Sequence, residues 1–430
     1  MHRFRIRTFV IAWTFAVGTT WAAPPAEPTG ARTPTALTLS DLVRLVLQHN
    51  PGIQAARSSR DASAAALTAA RALPNPRLDA TLGRNSARLP GVAGGPISSW
   101  GVSQWIENPQ LRQARIEAAD QGRVAGTQGV AVSVNEMVAQ TRVRAFELLL
   151  RKEEARAAGE ALSLLEEIRS RVKVRVESGE AARYEIIKAD AEVIHARQKV
   201  QTAQLQVEQS ALALDRLAGG RLPAPWVLSE SLGDALETPA LEQIQAAALQ
   251  HNPELKALQA EVARREARLR EAQAGRWPGV ELRYGQLRDT ELRQNTLSLS
   301  VPVPLLDDRS GPIREAAAEL ERARTLLHGR RAELAQQVQQ AWKSMEIARV
   351  RVSALGSGAV REAQAALRVA QAAYRFGERG ILDVLDAQRL LRQVNADLLD
   401  ARFQVQTAGV ELDFLAGFAV DASLSESTHP

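Results

Sequence analysis

Two stretches of the chain repeat apolar residues with a seven-residue period. The first stretch carries Ile186, Val193, Val200, Val207 and Leu214, and three positions later Ala189, Ala196, Ala203, Ser210 and Leu217. The second stretch carries Val384, Leu391, Leu398, Val405 and Leu412, and three positions later Ala387, Val394, Ala401, Ala408 and Leu415. This period is typical of left-handed coiled coils, and ordinary packing of a globular helix is the alternative. Five heptads in each half favour coiled-coil hairpins.

Proline is absent from two long windows, Gln110 to Leu222 and Ile313 to His429. Because proline breaks helix interiors, both windows can be helical almost throughout. Each has one expected interruption, at the Gly179 segment ESGEAARYE and at the Gly377 segment RFGERGILD. The rising arm of the first hairpin, Gln110 to Val176, would be about 100 Å long at the rise of an α-helix.

Four shorter segments alternate apolar and polar residues, as strands do. They are RLDATLGR, the stretch around Trp100, Val102 and Ile106, VELRYGQL, and TLSLSVPV with Val301 and Val303 included. In a sheet that crosses a membrane, the apolar side chains would face lipid and the polar ones would face inward. We expect the lipid-facing residues to be Leu78, Leu82, Leu282, Tyr284, Leu297 and Leu299, and the inward-facing residues to be Asp79, Glu281, Arg283 and Ser298. A soluble antiparallel sheet with one buried face would show the same alternation.

The chain is an internal duplication. LQHNP occurs at Leu47–Pro51 and again at Leu249–Pro253, an offset of 202, and later features such as Gly179 and Gly377 align at 198. The sequence predicts a signal peptide at 1–22, a Pro-rich linker at 23–36, a first repeat at 37–226, a second repeat at 227–420 and a tail at 421–430. Each repeat should hold a helix, two strands and a long helical hairpin.

The signal peptide prediction rests on three N-terminal arginines followed by an apolar run from Phe9 to Val17 and small residues up to Ala23. A transmembrane anchor is the alternative, but this run is too short to cross about 30 Å of hydrocarbon. No later segment has 18 consecutive apolar residues, so a membrane crossing would use strands. Four strands cannot close a barrel, and several copies would have to contribute to one.

Composition removes several classes of function. The 430 residues include no Cys, 4% aromatics and a net charge of +5 that is dispersed along the chain. These values disfavour thiol chemistry, a nucleic-acid surface and an aromatic-lined solute pocket. Phosphate-binding, zinc-protease, EF-hand and serine-nucleophile motifs are absent, so we expect no enzyme, catalytic residue, cofactor or metal site. His49 and His251, at predicted helix ends, are better explained by capping than by metal ligation.

Five segments together resemble the TolC-like outer-membrane efflux proteins, cation-efflux (CzcC-like) branch. They are TLSDLVRLVLQHNPGIQAA, LPNPRLDATL, RVESGEAARYEIIKADAEV, VPVPLLDDRSGPIREAAAEL and AYRFGERGILDVLDAQRLL. The resemblance implies a mainly α fold with a small β part, assembled as a trimeric α-barrel/β-barrel channel in the outer membrane with a long periplasmic extension. It implies a homotrimer in outer-membrane lipid, a periplasmic adaptor (membrane fusion) protein, an inner-membrane pump of the resistance-nodulation-division class, and heavy-metal cargo.

The resemblance also implies a periplasmic gate at the helical turns. Tyr374, Arg379, Asp383 and Asp386 fall on the family's gating pattern, and Glu185 falls on the acidic partner position at the other turn. Tyr374 and Arg379 should tie their helix to the Glu185 region in the closed state. Asp383 and Asp386 lie three residues apart, so threefold repetition would form two acidic rings that favour cations. A solvated, charged helix surface is the alternative.

Other functions stay open at this point. A channel of this kind could export drugs or secrete polypeptides in type I secretion instead of exporting cations. A coiled-coil structural or adhesive surface protein would explain the signal peptide and the heptads, but it would not explain the duplicated strand pairs.

Overall fold

The computed structural model describes residues 35–86, 91, 94–233 and 239–418. The predicted signal peptide (1–22), residues 23–34 of the predicted linker and the tail (421–430) lie outside the described residues.

The described part of the chain is mainly helical, with a small β part, as the sequence predicts. The first repeat comprises β1 Thr35–Leu37, α1 Leu39–His49, α2 Pro51–Arg71, β2 Arg77–Asn85, β3 Gly95–Ile106, α3 Pro109–Glu177 and α4 Arg183–Leu217. The second comprises β4 Trp226–Leu228, α5 Leu241–His251, α6 Pro253–Ala274, β5 Val280–Arg288, β6 Arg293–Ser300, α7 Ser310–Ala354, a π-helical turn Leu355–Ala359, α8 Val360–Arg375 and α9 Ile381–Ala416. The helix–strand–strand–hairpin order therefore occurs twice, which confirms the duplicated plan.

The repeated LQHNP segment forms the same joint in both repeats. The buried Asn50 side chain accepts a hydrogen bond from a backbone N–H of α2 at 2.8 Å and donates one to the Leu217 carbonyl at 2.9 Å. Asn252 accepts from α6 at 3.0 Å and donates to the Leu415 carbonyl at 3.0 Å. Each asparagine thus caps one helix and fastens it to the end of a descending hairpin arm.

The four predicted strands form one antiparallel sheet in the order β2-β3-β5-β6. The prediction for the last strand is too long, because β6 ends at Ser300 and leaves Val301 and Val303 outside it. Pro302 and Pro304 have no backbone N–H to donate, so strand pairing cannot continue through this segment in the usual way.

A second, two-stranded sheet joins the two repeats. β1 pairs in parallel with β4, with hydrogen bonds from Thr35 N to the Pro225 carbonyl (3.0 Å) and from Ser229 N to the Leu37 carbonyl (3.1 Å). β1 includes residues 35 and 36 of the predicted linker, and β4 contains residues on both sides of the predicted boundary between 226 and 227. The sequence does not predict this pairing, because the two segments are only three residues long and far apart in the chain.

The proline-free windows are helical, as predicted, and α3 is continuous over 69 residues. The heptad positions of the descending arms are buried or half-buried along their whole length; Val193 and Val384, for example, are 3% and 1% exposed. The second window, however, has two interruptions instead of one. Besides the turn at Gly377, the π-helical turn at Leu355–Ala359 separates α7 from α8.

Two hydrophobic clusters matter for the site. The body core contains Ile244, Ala248, Leu255, Leu334, Val338, Ala341, Met345, Ala408, Leu412, Leu415 and Ala416. The tip core, beside the hairpin turns, contains Leu165, Ile168, Val172, Val193, Ala196, Leu367, Tyr374, Ile381, Val384 and Leu385. Because the tip core draws residues from α3, α4, α8 and α9, it packs the ends of the two hairpins together.

Candidate functional site

Both hairpin turns have the same backbone geometry. α3 is followed by Gly179 at φ 80°, and α8 is followed by Gly377 at φ 74°. In each turn, the residue after the glycine donates its N–H back into the helix, from Glu180 to Arg175 O at 2.8 Å and from Glu378 to Ala373 O at 2.9 Å. This arrangement closes a helix C-terminus and favours glycine, since a side chain is strained at positive φ.

Two of the five predicted gate residues lie in contact across the hairpins. The Tyr374 hydroxyl, at the end of α8, donates to Glu185 Oε2 in the first turn of α4 at 3.3 Å. Tyr374 is only 8% exposed and belongs to the tip core. Burial, followed by the nearby Glu185 carboxylate, raises the pKa of the Tyr374 hydroxyl above its ordinary value of 10.0. The hydroxyl therefore remains a neutral donor near neutral pH.

Arg175 is a third member of this contact that the sequence analysis did not identify. Its guanidinium lies 4.7 Å from the centre of the Tyr374 ring, and its Nη1 donates to the Tyr374 carbonyl at 3.0 Å. Arg175 belongs to α3, so it is a second link between the hairpins. The sequence holds one signal for Arg175. At the repeat offset of 198, Arg175 aligns with Ala373, the residue next to Tyr374.

The other three predicted residues make different contacts. Arg379 Nη1, in the turn between α8 and α9, lies 3.7 Å from Asp383 Oδ1 in the first turn of α9, so within the described chain its ion pair does not reach the Glu185 region as expected. The partner is a carboxylate only four residues along the chain, in the same hairpin. Asp386 accepts a hydrogen bond from Arg389 at 3.1 Å, and Arg389 also pairs with a carboxylate of α4.

These pairs change the electrostatics expected for the turn region. Each of the two carboxylates proposed to form acidic rings has an arginine beside it, Arg379 for Asp383 and Arg389 for Asp386. Lys188 occupies the position equivalent to Asp386 in the first repeat. The region after the Gly377 turn is thus a mixture of paired charges, and its net negative charge is lower than Asp383 and Asp386 alone would give.

The apolar residues predicted to face lipid lie on one face of the four-stranded sheet. Leu78 pairs with Val102, Val102 with Tyr284 and Tyr284 with Leu297, so these four form a row across all strands. Leu82, Leu282 and Leu299 lie on the same face. In the single chain these side chains are exposed, from 39% for Val102 to 85% for Leu82. An exposed apolar surface of this extent is typical of an interaction site.

The opposite face of the sheet is polar. Arg283 Nη2 lies 3.3 Å from Asp79 Oδ2 across the intervening strand β3. Gly101 lies between them, and a Cβ at that position would come within 3.5 Å of the Arg283 Nε. The glycine therefore leaves room for this ion pair, and Glu281 and Ser298 share its face by strand alternation.

The described residues contain no helix that is long and apolar enough to span a membrane. Across the same part of the chain, no group of three or more His, Asp and Glu side chains is arranged to hold a metal ion.

Comparisons with known proteins agree on one family. The family model described as outer membrane efflux protein matches residues 42–220 and 245–418. The cobalt-zinc-cadmium resistance protein CzcC of Cupriavidus metallidurans is 25% identical over 399 residues, covering 91% of this chain and 92% of that protein.

Solved structures of similar fold have lower sequence identity. The structure of CusC has a TM-score of 0.76 at 19% identity and covers 91% of this chain and 95% of its own. The CmeC outer membrane channel of Campylobacter jejuni has a TM-score of 0.77 at 15% identity, with coverage of 90% and 88%. Since the family model matches most of both repeats, the chain belongs to the outer membrane efflux protein family, whose members are channels and not enzymes.

Proposed function

We propose that this outer-membrane efflux channel is the exit duct of a tripartite system for heavy-metal cations, and that the contact between Tyr374 and Glu185 holds its periplasmic end closed. The channel function follows from the family. The cargo, the partners and the gate are our inference.

The observation that carries the gate is the cross-hairpin contact of Tyr374. Each hairpin has its own turn, so the two hairpins can separate at their ends only if the contacts between them break. The 3.3 Å hydrogen bond to Glu185 and the two contacts with Arg175 are such links. A single charge-assisted bond contributes about 1.5–3 kcal/mol, and the long distance puts this one at the lower end of that range. A tie of that strength can hold a closed state and still be broken.

The assembly is proposed from the sheet edges and the apolar face. Within the described residues, β2 and β6 each pair on one side only, which leaves two open edges. Open edges are not tolerated in lipid, and joining β6 of one copy to β2 of the next removes them. We therefore assign the apolar row to outer-membrane lipid and the polar face to the interior of a homotrimer. A periplasmic adaptor and an inner-membrane pump complete the system.

The heavy-metal cargo is supported by similarity to CzcC, whose name states cobalt, zinc and cadmium resistance. The chain has no Cys and only 3 Met, so it lacks the usual soft ligands for metal selection. Selection of the cargo would then reside in the pump and the adaptor. The channel's contribution would be a passage with an opening controlled at the turns.

Planar-bilayer recordings of the purified protein test the gate. Tyr374→Phe removes only the hydroxyl and should raise conductance, because the link to Glu185 is lost. Tyr184→Phe is the matched control, since Tyr184 is 59% exposed in the first turn of α4. If both variants behave like the wild type, the Tyr374–Glu185 contact is not the gate.

The acidic residues at the turn are tested separately. Asp383→Ala combined with Asp386→Ala should weaken block by multivalent cations. The change should be modest, because Arg379 and Arg389 already offset these carboxylates. An unchanged block would exclude the two aspartates from the cation path.

The cargo is tested by growth of a strain that lacks the gene. Loss of tolerance to zinc, cobalt or cadmium, restored by the wild-type chain, would support metal export. Loss of tolerance to antibiotics alone would assign the channel to drug efflux instead.

A further inference from the structure

The two hairpins differ in one feature of their backbone. In the second, the residues Leu355–Ala359 form a π-helical turn, after which the Val360 N–H donates to the Leu355 carbonyl, five residues back. The repeat offset of 198 places Ser357 opposite Gly159, in the uninterrupted α-helix α3. π-Helical turns are rare and often occur at functional sites.

The pattern of buried residues explains why the turn forms there. In α7 the buried positions Leu334, Val338, Ala341, Met345 and Ala348 alternate steps of four and three. Continuing these steps leads to Glu362, yet Glu362 is exposed and Ala363 is buried. The chain therefore has one residue too many for a regular helix. A π-helical turn absorbs the extra residue, so the buried residues of α7 and those of α8 lie on the same side.

The π-helical turn is also weakly packed. None of its five residues is buried, and it lies between Met345 of the body core and Leu367 of the tip core. A Cβ added to Gly356 would meet only Leu398 Cδ1, at 3.8 Å, and one added to Gly358 would meet nothing within 4 Å. A helix segment with little packing and two glycines resists bending less than its neighbours do.

We propose that this turn is a hinge that lets the end of the second hairpin move while the first hairpin stays straight. Tyr374 lies fifteen residues beyond Ala359, which is about 22 Å at the rise of an α-helix, so a bend of about 10° displaces it by about 4 Å. That displacement breaks the 3.3 Å contact with Glu185. The role of the hinge in gating rests on the proposed function of Tyr374 and Glu185. The flexibility of the turn does not depend on that function.

The first hairpin supplies the fixed side of this arrangement. α3 runs from Pro109 to Glu177 without interruption and carries Arg175 in its last turn. Arg175 therefore holds the closed position of Tyr374 from a continuous helix. The asymmetry between the repeats assigns the bend to the start of α8.

Hydrogen exchange of the full-length protein tests the hinge independently of the gate. We expect backbone amides at 356–361 to exchange at least tenfold faster than those at the equivalent positions 158–163 in α3. Equal protection at the two sites would overturn the hinge whatever the gate variants do. Faster exchange together with an unchanged conductance of Tyr374→Phe would keep the flexible turn and exclude its role in gating at Tyr374.

Deletion of single residues gives a matched test. Deleting Ser357 removes the extra residue, so α7 and α8 should fuse into one regular helix, with the oligomer and thermal midpoint retained. Deleting Gly159 rotates the remainder of α3 by about 100° and should lower the midpoint by disrupting the tip core. If deletion of Ser357 is as damaging as deletion of Gly159, the turn does not absorb an extra residue and the proposal fails.

The deletion is then combined with the gate variant. In the Tyr374→Phe background, deletion of Ser357 should remove at least half of the rise in conductance. Gly356→Ala with Gly358→Ala, which stiffens the turn without shortening the chain, should slow exchange at 356–361 and reduce the rise in the same direction. If the Ser357 deletion and the double glycine variant both keep the full rise in conductance, the hinge proposal is overturned.

Discussion

Arg175→Met separates the cross-hairpin contact from general packing at the tip. Methionine keeps much of the apolar stem, and it removes the cation 4.7 Å from the Tyr374 ring centre and the donor 3.0 Å from the Tyr374 carbonyl. The variant should therefore weaken the closed state while leaving the tip core filled.

The size of the effect can be worked out from the contacts. A guanidinium stacked on an aromatic ring at a partly exposed site contributes about 1 kcal/mol. The hydrogen bond contributes about another 1 kcal/mol, because the Tyr374 carbonyl also accepts the Gly377 N–H at 3.1 Å and is not left unpaired. The ion pair with the exposed Glu180, at 3.7 Å, adds little. A loss of about 2 kcal/mol per chain corresponds to about a 30-fold shift toward the open state.

Single-channel recording measures this shift as open probability. Arg171→Met is the matched control, since Arg171 lies one helical turn earlier, is 55% exposed and pairs with Glu167 on its own helix. The control should leave the open probability unchanged. The thermal midpoint of both variants, measured in the same detergent, checks that the fold is retained.

One combination of results would refute this reasoning. If Tyr374→Phe raises the open probability but Arg175→Met behaves like Arg171→Met, then the guanidinium stabilises the closed state no more than a solvated side chain does. Of the contacts made by Tyr374, only the hydroxyl contact with Glu185 would then contribute to the gate.

Three further outcomes are expected. Open probability should rise above pH 10.0, and Tyr374→Phe should abolish this pH dependence. The pKa of Tyr374 is raised above 10.0 in the closed state, so its stabilisation of that state is constant at lower pH and is lost as the pH rises through the raised pKa. Leu299→Arg should reduce recovery of assembled protein, at a cost of about 2–4 kcal/mol, far more than Ser298→Arg; equal recovery would mean that the faces are assigned wrongly. Asn252→Ala should destabilise the fold by about 1–3 kcal/mol in thermal denaturation, since the buried Leu415 carbonyl loses its donor; an unchanged midpoint would contradict this.

The helical part of the fold could be predicted because its signals are local and repeated. The heptads that include Val193 and Val384 identified the seams, and the proline-free windows begin within about three residues of the starts of α3 and α7. The alternation in β2 and β5 predicted which residues share a face of the sheet. In each case the periodicity of the backbone determines which residues are buried, so a short segment is sufficient.

The site was less predictable because its contacts join distant segments. Arg175 and Tyr374 are 199 residues apart, and nothing in the composition of α3 distinguishes Arg175 from its many other arginines. The partner of Arg379 depended on competition between Asp383, in its own hairpin, and Glu185, in the other hairpin. The π-helical turn became visible only when the buried positions of α7 and α8 could be compared in three dimensions.

The duplication explains why the frame was easier to predict than the contacts at the turns. Positions that hold the frame are the same in both repeats, as with the joint at Asn50 and Asn252. The positions that we assign to opening differ between the repeats: Arg175 aligns with Ala373, Tyr374 with Val176, Ser357 with Gly159 and Asp386 with Lys188. A symmetric pair of hairpins would have no reason for one to move against the other. Divergence at these positions gives one hairpin the straight helix and the arginine, and gives the other the flexible turn and the tyrosine that the arginine holds.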